Sequence, residues 1–422
     1  MNINPVVRIG QNFDEGTDMA LITYGEDKYI YDSNGKKYLD YCGGIWNMPF
    51  GYTNPIINKK IIEQLNKLPF CNLITNIADI QNDYAVRLNK ILGTSAILYT
   101  CSGSEAIEAA IKTCRKYQSM KNSRRKTISA FTLSYHGTTY GAMSVSGIDQ
   151  REAEDYFPLL DKITWIDPPK QLEDEEKWLN VIEEHFQKNA ENMAGIIVEP
   201  VFGSGGIIPI PEAALKKIEE LCQKHDILLV YDEVTTGFGR TGIPFACKRY
   251  DIKPDLICLS KGINNGYLPL GVLAFSEKVS EAFVEKKQAL EHFSTQGGNL
   301  ISIAAADAVL DLMENYESYE VASKGEFFKN YLTELLKPYQ SVEIRANGLM
   351  IGISFPKGSN ERNLVDISAK LKKRGLLVYL FYNPGYNLGL SIFPAFTSSE
   401  DDLKEAAKKI AVQLKKYPDI LF

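Results

Sequence analysis

The sequence predicts an α/β protein, a mainly parallel sheet joined to a smaller α+β domain. Two observations predict the sheet. From Ser95 onward, apolar runs, polar or glycine-rich loops and stretches of helical period follow one another in repeating order. The apolar runs themselves, such as AGIIVEP and PDLICLS, are short and bounded by turn residues, as buried strands are. A third observation predicts the second domain. After about residue 290 the texture changes to long helical stretches interleaved with short strands.

Residues 1 to about 40 read as an entry segment, in which EDKYIYDSNGKKYLDY places two β-rich runs around the turn signal Ser33-Asn34-Gly35. GGIWNMPFGYTNP (43–55) is too rich in glycine, aromatics and proline for regular helix. It is a structural corner or a pocket wall, and Trp46 in it is either a core indole or a cover over a ligand. Helices follow over about 58–67 and 80–92.

SAILYTC is a short strand opening into Ser102-Gly103-Ser104-Glu105, and AIEAAIKTCRKY continues with helical period. Free N–H groups and the helix dipole favour a phosphate at such a turn, while Ser102 and Ser104 equally suit plain capping. TISAFTLSYHGTTYGAMSVSG (127–147) leads a strand into the turn Tyr135-His136-Gly137. A charged helical stretch (about 171–190) precedes AGIIVEP, a buried strand ending in Glu199. A helix over 212–225 leads to ILLVYDEVTTGFGRTG, whose strand ends in Asp232 and Glu233.

The strand over 256–260 delivers Lys261, and glycines follow at 262, 266 and 271. Lys261 is either a solvated end-of-strand cation or a partly buried amine with a lowered pKa, able to form a Schiff base with a carbonyl. Beyond residue 290 come helices at about 300–315 and 324–337, strands within VEIRANGLMIGISF and GLLVYLFYNPGYNLGLSIFP, and a last helix at about 399–416. The expected division is an N-terminal segment (1–55) belonging to the small domain and the active-site loop, a large domain (56–295) and a small C-terminal domain (296–422).

Composition narrows the function. The chain of 422 residues is 45% hydrophobic and 24% charged, with a net charge of −6. That profile suits a globular enzyme and offers no electrostatic footprint for nucleic acid or an anionic membrane. No apolar run reaches the ~18 residues needed to span a bilayer, and the first residues lack a signal-peptide pattern, so the cytoplasm is the expected compartment. The seven cysteines are scattered without a CxxC pair and the four histidines stand alone, so no metal site is expected.

In a parallel sheet the ligand crevice lies beyond the carboxyl ends of the strands. Ser102, Gly103, Ser104, Tyr135, Glu199, Asp232 and Lys261 all fall there, and would converge on one rim. A phosphate on the 102–104 turn, Asp232 holding a ring nitrogen protonated, Tyr135 stacked on the ring and Lys261 on an aldehyde together describe pyridoxal 5′-phosphate chemistry.

The motifs TCSGSEAIEAAIK, YHGTTYGAMSVSG, IIVEP, LLVYDEVTTGFGRTG, PDLICLSKG and STQGGN carry a resemblance. Over nearly its full length the chain resembles the class III (subgroup II) aminotransferases of the fold type I pyridoxal-phosphate superfamily, and GGIWNMPFGY and KGINNGYLPLG look most like the ω-transaminases among them. The resemblance implies a mainly parallel sheet of the seven-stranded type, Lys261 as the Schiff-base lysine and Asp232 as partner of the ring nitrogen. Val234 and Tyr135 would flank the ring, Gly103 and Ser104 would bind the phosphate, and His136 and Glu199 would lie near the ring. Trp46 would line the substrate pocket. Thr295 would reach the phosphate of a neighbouring subunit, which implies a homodimer with shared sites.

Two departures bear on the substrate. Ser204 and Ser391 stand where glutamate-using members carry a glutamate and an arginine, and no mobile arginine is evident in YLFYNPGYNLGLSIFP. A guanidinium is the usual carboxylate clamp. The expected pocket is therefore aromatic and mostly uncharged, with Arg345 as a fallback carboxylate ligand set against a structural role in the small lobe. The expected activity is ping-pong transfer of an amino group between an amine or amino acid and a keto acid or aldehyde. The alternative is a class III racemase, epimerase or aminomutase, and a non-catalytic cofactor-binding protein is a distant third.

Overall fold

The computed structural model describes Val6 and residues 20–421 apart from 340 and 357. Strands β1 (Ile22–Glu26), β2 (Tyr29–Asp32) and β3 (Lys37–Asp40) form an antiparallel ribbon. Its β2–β3 turn falls on Ser33-Asn34-Gly35. Asp32 Oδ1 closes that turn by accepting the N–H groups of Asn34 (2.9 Å) and Lys36 (3.0 Å). The 43–55 stretch yields one helical turn, Gly43–Trp46, broken by non-helical backbone at Gly44 and Ile45.

The central sheet has seven strands: β4 (Ala96–Thr100), β5 (Thr127–Phe131), β6 (Ile163–Ile166), β7 (Met193–Val198) and, beyond the small ribbon β8 (Val201–Phe202) and β9 (Ile208–Pro209), β10 (Leu228–Asp232), β11 (Leu256–Leu259) and β12 (Gly271–Phe275). Their order is β4-β12-β11-β10-β7-β5-β6, and β12 alone runs antiparallel to its neighbours. Sequence reading did not anticipate β6 and β12. ITWI is too short to stand out as a strand, and GVLAF follows directly on the glycine-rich turn after Lys261.

Successive residues of a strand face opposite sides, and here both sides are dry. In β10, Leu228 and Val230 join the cluster beneath the helix Gly103–Met120, while Leu229 and Tyr231 join the main core on the other face. β11 divides in the same way, Leu256 and Cys258 against Ile257 and Leu259. This explains why the strands read as continuous apolar runs. The helix Gly103–Met120 meets the sheet through Ala106, Ala109, Ala110 and Cys114, small side chains that bring it close. A Cβ placed on Gly195 of β7 would lie 2.5 Å from Cys114 Sγ.

A second sheet has the antiparallel order β13-β14-β17-β16, from β13 (Glu343–Asn347), β14 (Met350–Ser354), β16 (Tyr379–Asn383) and β17 (Asn387–Ile392). Between them β15 (Leu376–Leu377) pairs in parallel with β3, which joins the entry ribbon to the C-terminal part of the chain. Helices Val321–Leu335, Glu361–Lys373 and Glu400–Leu414 accompany these strands, the middle one unanticipated.

The contact at Gly195 generates a stability test. Gly195→Ala is expected to cost about 1–3 kcal/mol through overpacking, read by urea denaturation. In the Cys114→Ala background the same substitution should cost measurably less, because the clashing sulfur is gone.

Candidate active site

Loops leaving the carboxyl ends of β4, β5, β7, β10 and β11 carry Ser102 to Ser104, Tyr135 and His136, Glu199, Asp232 to Val234, and Lys261. The strand ends thus bring the expected residues to one edge of the sheet.

Asp232 is 5% exposed and His136 is 3% exposed. His136 Nδ1 donates to Asp232 Oδ2 at 2.7 Å, and the Val234 N–H donates to Asp232 Oδ1 at 3.0 Å. His136 is itself fixed by its own N–H, which donates to Ser146 Oγ at 2.8 Å. Its Nε2 is buried without a partner among the described residues. Glu199 accepts from the Tyr135 N–H (2.8 Å) and the Gly203 N–H (3.1 Å), so this carboxylate ties the β5 loop to the β7 loop. Burial pushes its carboxyl up to about 7; His136 opposes that rise and the charge of Asp232 adds to it.

The helix Gly103–Met120 is capped by Ser102, whose hydroxyl accepts the Glu105 N–H at 3.2 Å, while Glu105 Oε2 accepts the Cys101 N–H at 2.5 Å. The capping leaves the first N–H groups of an 18-residue helix facing the strand edge. A Cβ on Gly103 would lie 3.0 Å from Val234 Cγ2, and one on Gly137 would lie 2.1 Å from Ser104 Oγ. Only glycine lets the β10 and β5 loops close this tightly around the turn.

Lys261 starts a short 3-10 turn with φ of 44°, a left-handed backbone unusual outside glycine. Its Nζ donates to Thr235 Oγ1 at 2.6 Å and lies 4.7 Å from the centre of the Trp46 ring. Burial holds this amine below the usual lysine range, and the charges of Asp232 and Glu199 offset part of the effect. Trp46 is 5% exposed, stacked on Phe393 (centroids 4.5 Å apart, planes 10° apart) and edge-on to Tyr379 at 5.4 Å. It is both a buried indole and a wall over the lysine.

A cleft of about 790 Å³ opens in front of Lys261. Trp46, Tyr135, Ser204, Tyr379 and Asn383 are among the residues lining it. Its aromatic character agrees with expectation. Its charge does so only in part, because Asp149 also lines it. Ser391 is fully buried in β17 and is not part of the lining. Arg345 donates to the carbonyls of Ile207 (3.2 Å) and Gly206 (2.8 Å) and pairs with Glu343, so its fork is spent on structure. Thr295 is exposed and does not line the cleft of its own chain.

Thr235, Tyr379, Phe393, Asn383 and Asp149 escaped sequence reading. Thr235 directly follows the Asp232-Glu233-Val234 run, a signal available in principle. The others come from a distant hairpin or a short turn, and nothing local marks them.

The residues fit pyridoxal phosphate. A glycine-tight helix N-terminus suits a phosphate, a buried carboxylate already fixed at both oxygens suits a ring N–H, and a desolvated amine at the cleft floor suits an aldehyde.

Comparison with known proteins gives the same class of chemistry. A family profile described as aminotransferase class-III matches residues 12–414. An uncharacterized aminotransferase of Bacillus subtilis (strain 168), YhxA, is 33% identical over 415 residues, covering 93% of this chain and 91% of its own. The acetylornithine aminotransferase of Aquifex aeolicus is 34% identical over 356 residues, covering 84% of this chain and 87% of its own. An amine transaminase from an uncultivated Pseudomonas species, solved with pyridoxal phosphate bound, superposes with a TM-score of 0.87 at 26% identity, covering 98% and 99% of the two chains.

The raised Glu199 carboxyl predicts a pH dependence. Between its ordinary 4.5 and about 7, the unfolded chain releases this proton while the folded chain holds it. The folded state binds more protons there, so stability falls as pH rises through the window. Urea denaturation at several pH values should show the wild type losing stability relative to Glu199→Gln across that range. Parallel pH profiles would refute the assignment.

Proposed function

The chain belongs to the class-III aminotransferases, and on that footing we propose that its cleft passes the amino group of an amine-bearing donor to a keto or aldehyde acceptor in two half-reactions. The protein is a pyridoxal-phosphate-dependent aminotransferase. The racemase, epimerase or aminomutase alternative is not favoured, since the named relatives are aminotransferases. One observation carries the assignment of roles. The Lys261 amine, lowered by burial, sits under Trp46 at the strand edge that also holds the Asp232–His136 pair.

When bound, pyridoxal phosphate supplies an aldehyde that accepts an amino group and a ring that draws electrons from the reacting carbon. In our reading the Lys261 amine would hold that aldehyde. The same amine, when free, would move a proton at the donor's reacting carbon, a task served by a pKa below the ordinary lysine value. Asp232, oriented by His136 and the Val234 N–H, keeps the ring nitrogen protonated. Ser102, Gly103 and Ser104 bind the phosphate through the helix N-terminus. Val234 and Tyr135 would flank the ring, and Glu199 fixes the Tyr135 loop. Thr235 holds the lysine amine while it is free.

The substrate side follows from the walls. With Arg345 committed to backbone carbonyls and no guanidinium among the described lining residues, the cleft favours an amine over a dicarboxylic donor.

We assign residues 56–295 to the cofactor-binding domain, 296–422 to the small domain and 1–55 to a segment shared with it. The strand pairing of β3 with β15 supports the last of these. A homodimer is supported by exposed apolar residues after the helix Pro55–Lys67. Phe70, Leu73, Ile74 and Ile77 are 40 to 71% exposed, a patch that asks for a partner. Thr295 would then act in the neighbouring copy's site. A cytoplasmic setting is in keeping with the absence, among the described residues, of any helix long and apolar enough to cross a membrane.

The purified protein with pyridoxal phosphate should show a visible absorption band that an amine donor bleaches and a keto acid restores. Lys261→Ala should abolish that response and lower turnover by a factor of ~10³ or more. A band that shifts without bleaching, with the α-hydrogen exchanging into solvent, would overturn amino-group transfer. Ile74→Asp should shift the protein from dimer to monomer in sedimentation and lower activity with it. A monomeric variant of full activity would refute shared sites.

A further inference from the structure

Arg240, in the loop that follows β10, is a buried cation, 2% exposed, outside the lining of the cleft. Burial pulls its guanidinium down to about 9, and the group that opposes this is the Tyr316 phenol rather than a carboxylate. A cation kept in the interior without an anion costs stability unless its N–H groups find acceptors. Nη1 donates to the carbonyls of Pro394 (2.6 Å) and Leu349 (3.4 Å). The guanidinium carbon lies 4.9 Å from the centre of the Phe396 ring and 5.6 Å from that of Phe393, within cation–π reach. Arg240 thus grips the segment from Phe393 to Phe396, where the chain leaves β17.

The same segment holds the loop that carries Trp46. The Phe393 N–H donates to the Tyr41 carbonyl and the Phe396 N–H to the Pro49 carbonyl, each at 2.7 Å, so two bonds bracket Trp46. Between them the Phe393 ring stacks on the indole, and a Cβ on Gly43 would lie 2.8 Å from the Phe393 carbonyl oxygen. Trp46 needs such support. Its φ of 65° is a left-handed backbone that a bulky residue keeps only where its surroundings enforce it. The indole in turn faces Lys261 Nζ. Contacts therefore run unbroken from the Arg240 guanidinium through Phe393 and Trp46 to the amine.

We propose that Arg240 is a positioning residue for the transamination: through Phe393 and Phe396 it fixes the Trp46 ring over Lys261 and keeps water from that amine. The inference rests on the reading of Lys261 as the lysine that holds the cofactor aldehyde. Asp232, Glu199 and Thr235, which also act on the amine, keep their own contacts when Arg240 is replaced. The planar fork matters as well as the charge, because a lysine ammonium cannot both reach two carbonyls and lie flat against the rings.

The test is a pH titration of the visible band of the pyridoxal-phosphate-loaded enzyme, which reports protonation of the Lys261 nitrogen. Arg240→Lys and Arg240→Met should each raise the midpoint by about one pH unit, because water admitted beside Lys261 favours the charged form. Phe393→Leu should raise it equally with Arg240 intact, and Arg240→Lys combined with Phe393→Leu should add little, since both act along one path. Urea denaturation separates folding from positioning. A lowered denaturation midpoint with the band titration unmoved in Arg240→Lys and Phe393→Leu would show a merely structural arginine and overturn the proposal. A shift in Arg240→Met that Arg240→Lys lacks, or additive shifts in the double variant, would overturn it in favour of a direct effect of charge. Should Arg240→Met fail to fold, the lysine and Phe393 variants decide alone. A wild-type protein that forms no visible band with pyridoxal phosphate would instead overturn the reading of Lys261.

Discussion

A primary amine with little water around it governs this molecule. An amine is useful to carbonyl chemistry only when it is not held fully protonated, and the cheapest way to arrange that is to remove its water. The cost is a second requirement. Asp232 and Glu199 act on the same amine, and two carboxylates in a dry place repel each other and favour protonation. The fold answers with fixed donors rather than with solvent. His136 and the Val234 amide hold Asp232, while the Tyr135 and Gly203 amides hold Glu199. The central sheet is what makes those donors stationary, because each belongs to a loop anchored at a strand buried on both faces.

The same logic explains the glycines around Ser104. Two loops approach the helix N-terminus so closely that a methyl group on Gly103 or Gly137 would strike a neighbour. A phosphate there would meet backbone N–H groups directly, with no side chain to reorganise.

The cofactor half of the site was legible because its residues sit at predictable places. A short apolar run marks a strand, and the residue after it marks the rim, so Lys261, Asp232, Glu199 and Ser102 could be aligned without knowing the strand order. The strand order itself was not legible. Nothing local shows that β12 inserts antiparallel between β4 and β11, because that is decided by which apolar faces close on each other. The substrate half was harder still. Tyr379 and Asn383 belong to a hairpin more than a hundred residues beyond Lys261, and only the closure of the second sheet brings them to the cleft. Phe393 reads as one more core aromatic until its stack on Trp46 is seen. Arg345 illustrates the reverse. Its residue type suggested a ligand, and its carbonyl partners show a brace.

The two halves of the site are built from different materials, and this bears on how such an enzyme can change over evolutionary time. The cofactor side depends on backbone amides and close glycine contacts, where almost any replacement disturbs several loops at once. Much of the substrate side is presented by side chains of the hairpin β16–β17, whose tip meets the large sheet's edge through Tyr386, near Thr132 and Asp167. Replacing the half-exposed Tyr379 or Tyr382 alters the wall without touching the strand-end loops proposed to hold the cofactor. Substrate range can therefore drift by single steps while the chemistry stays fixed, which is the architecture expected of a lineage that has diversified its donors many times on one catalytic frame.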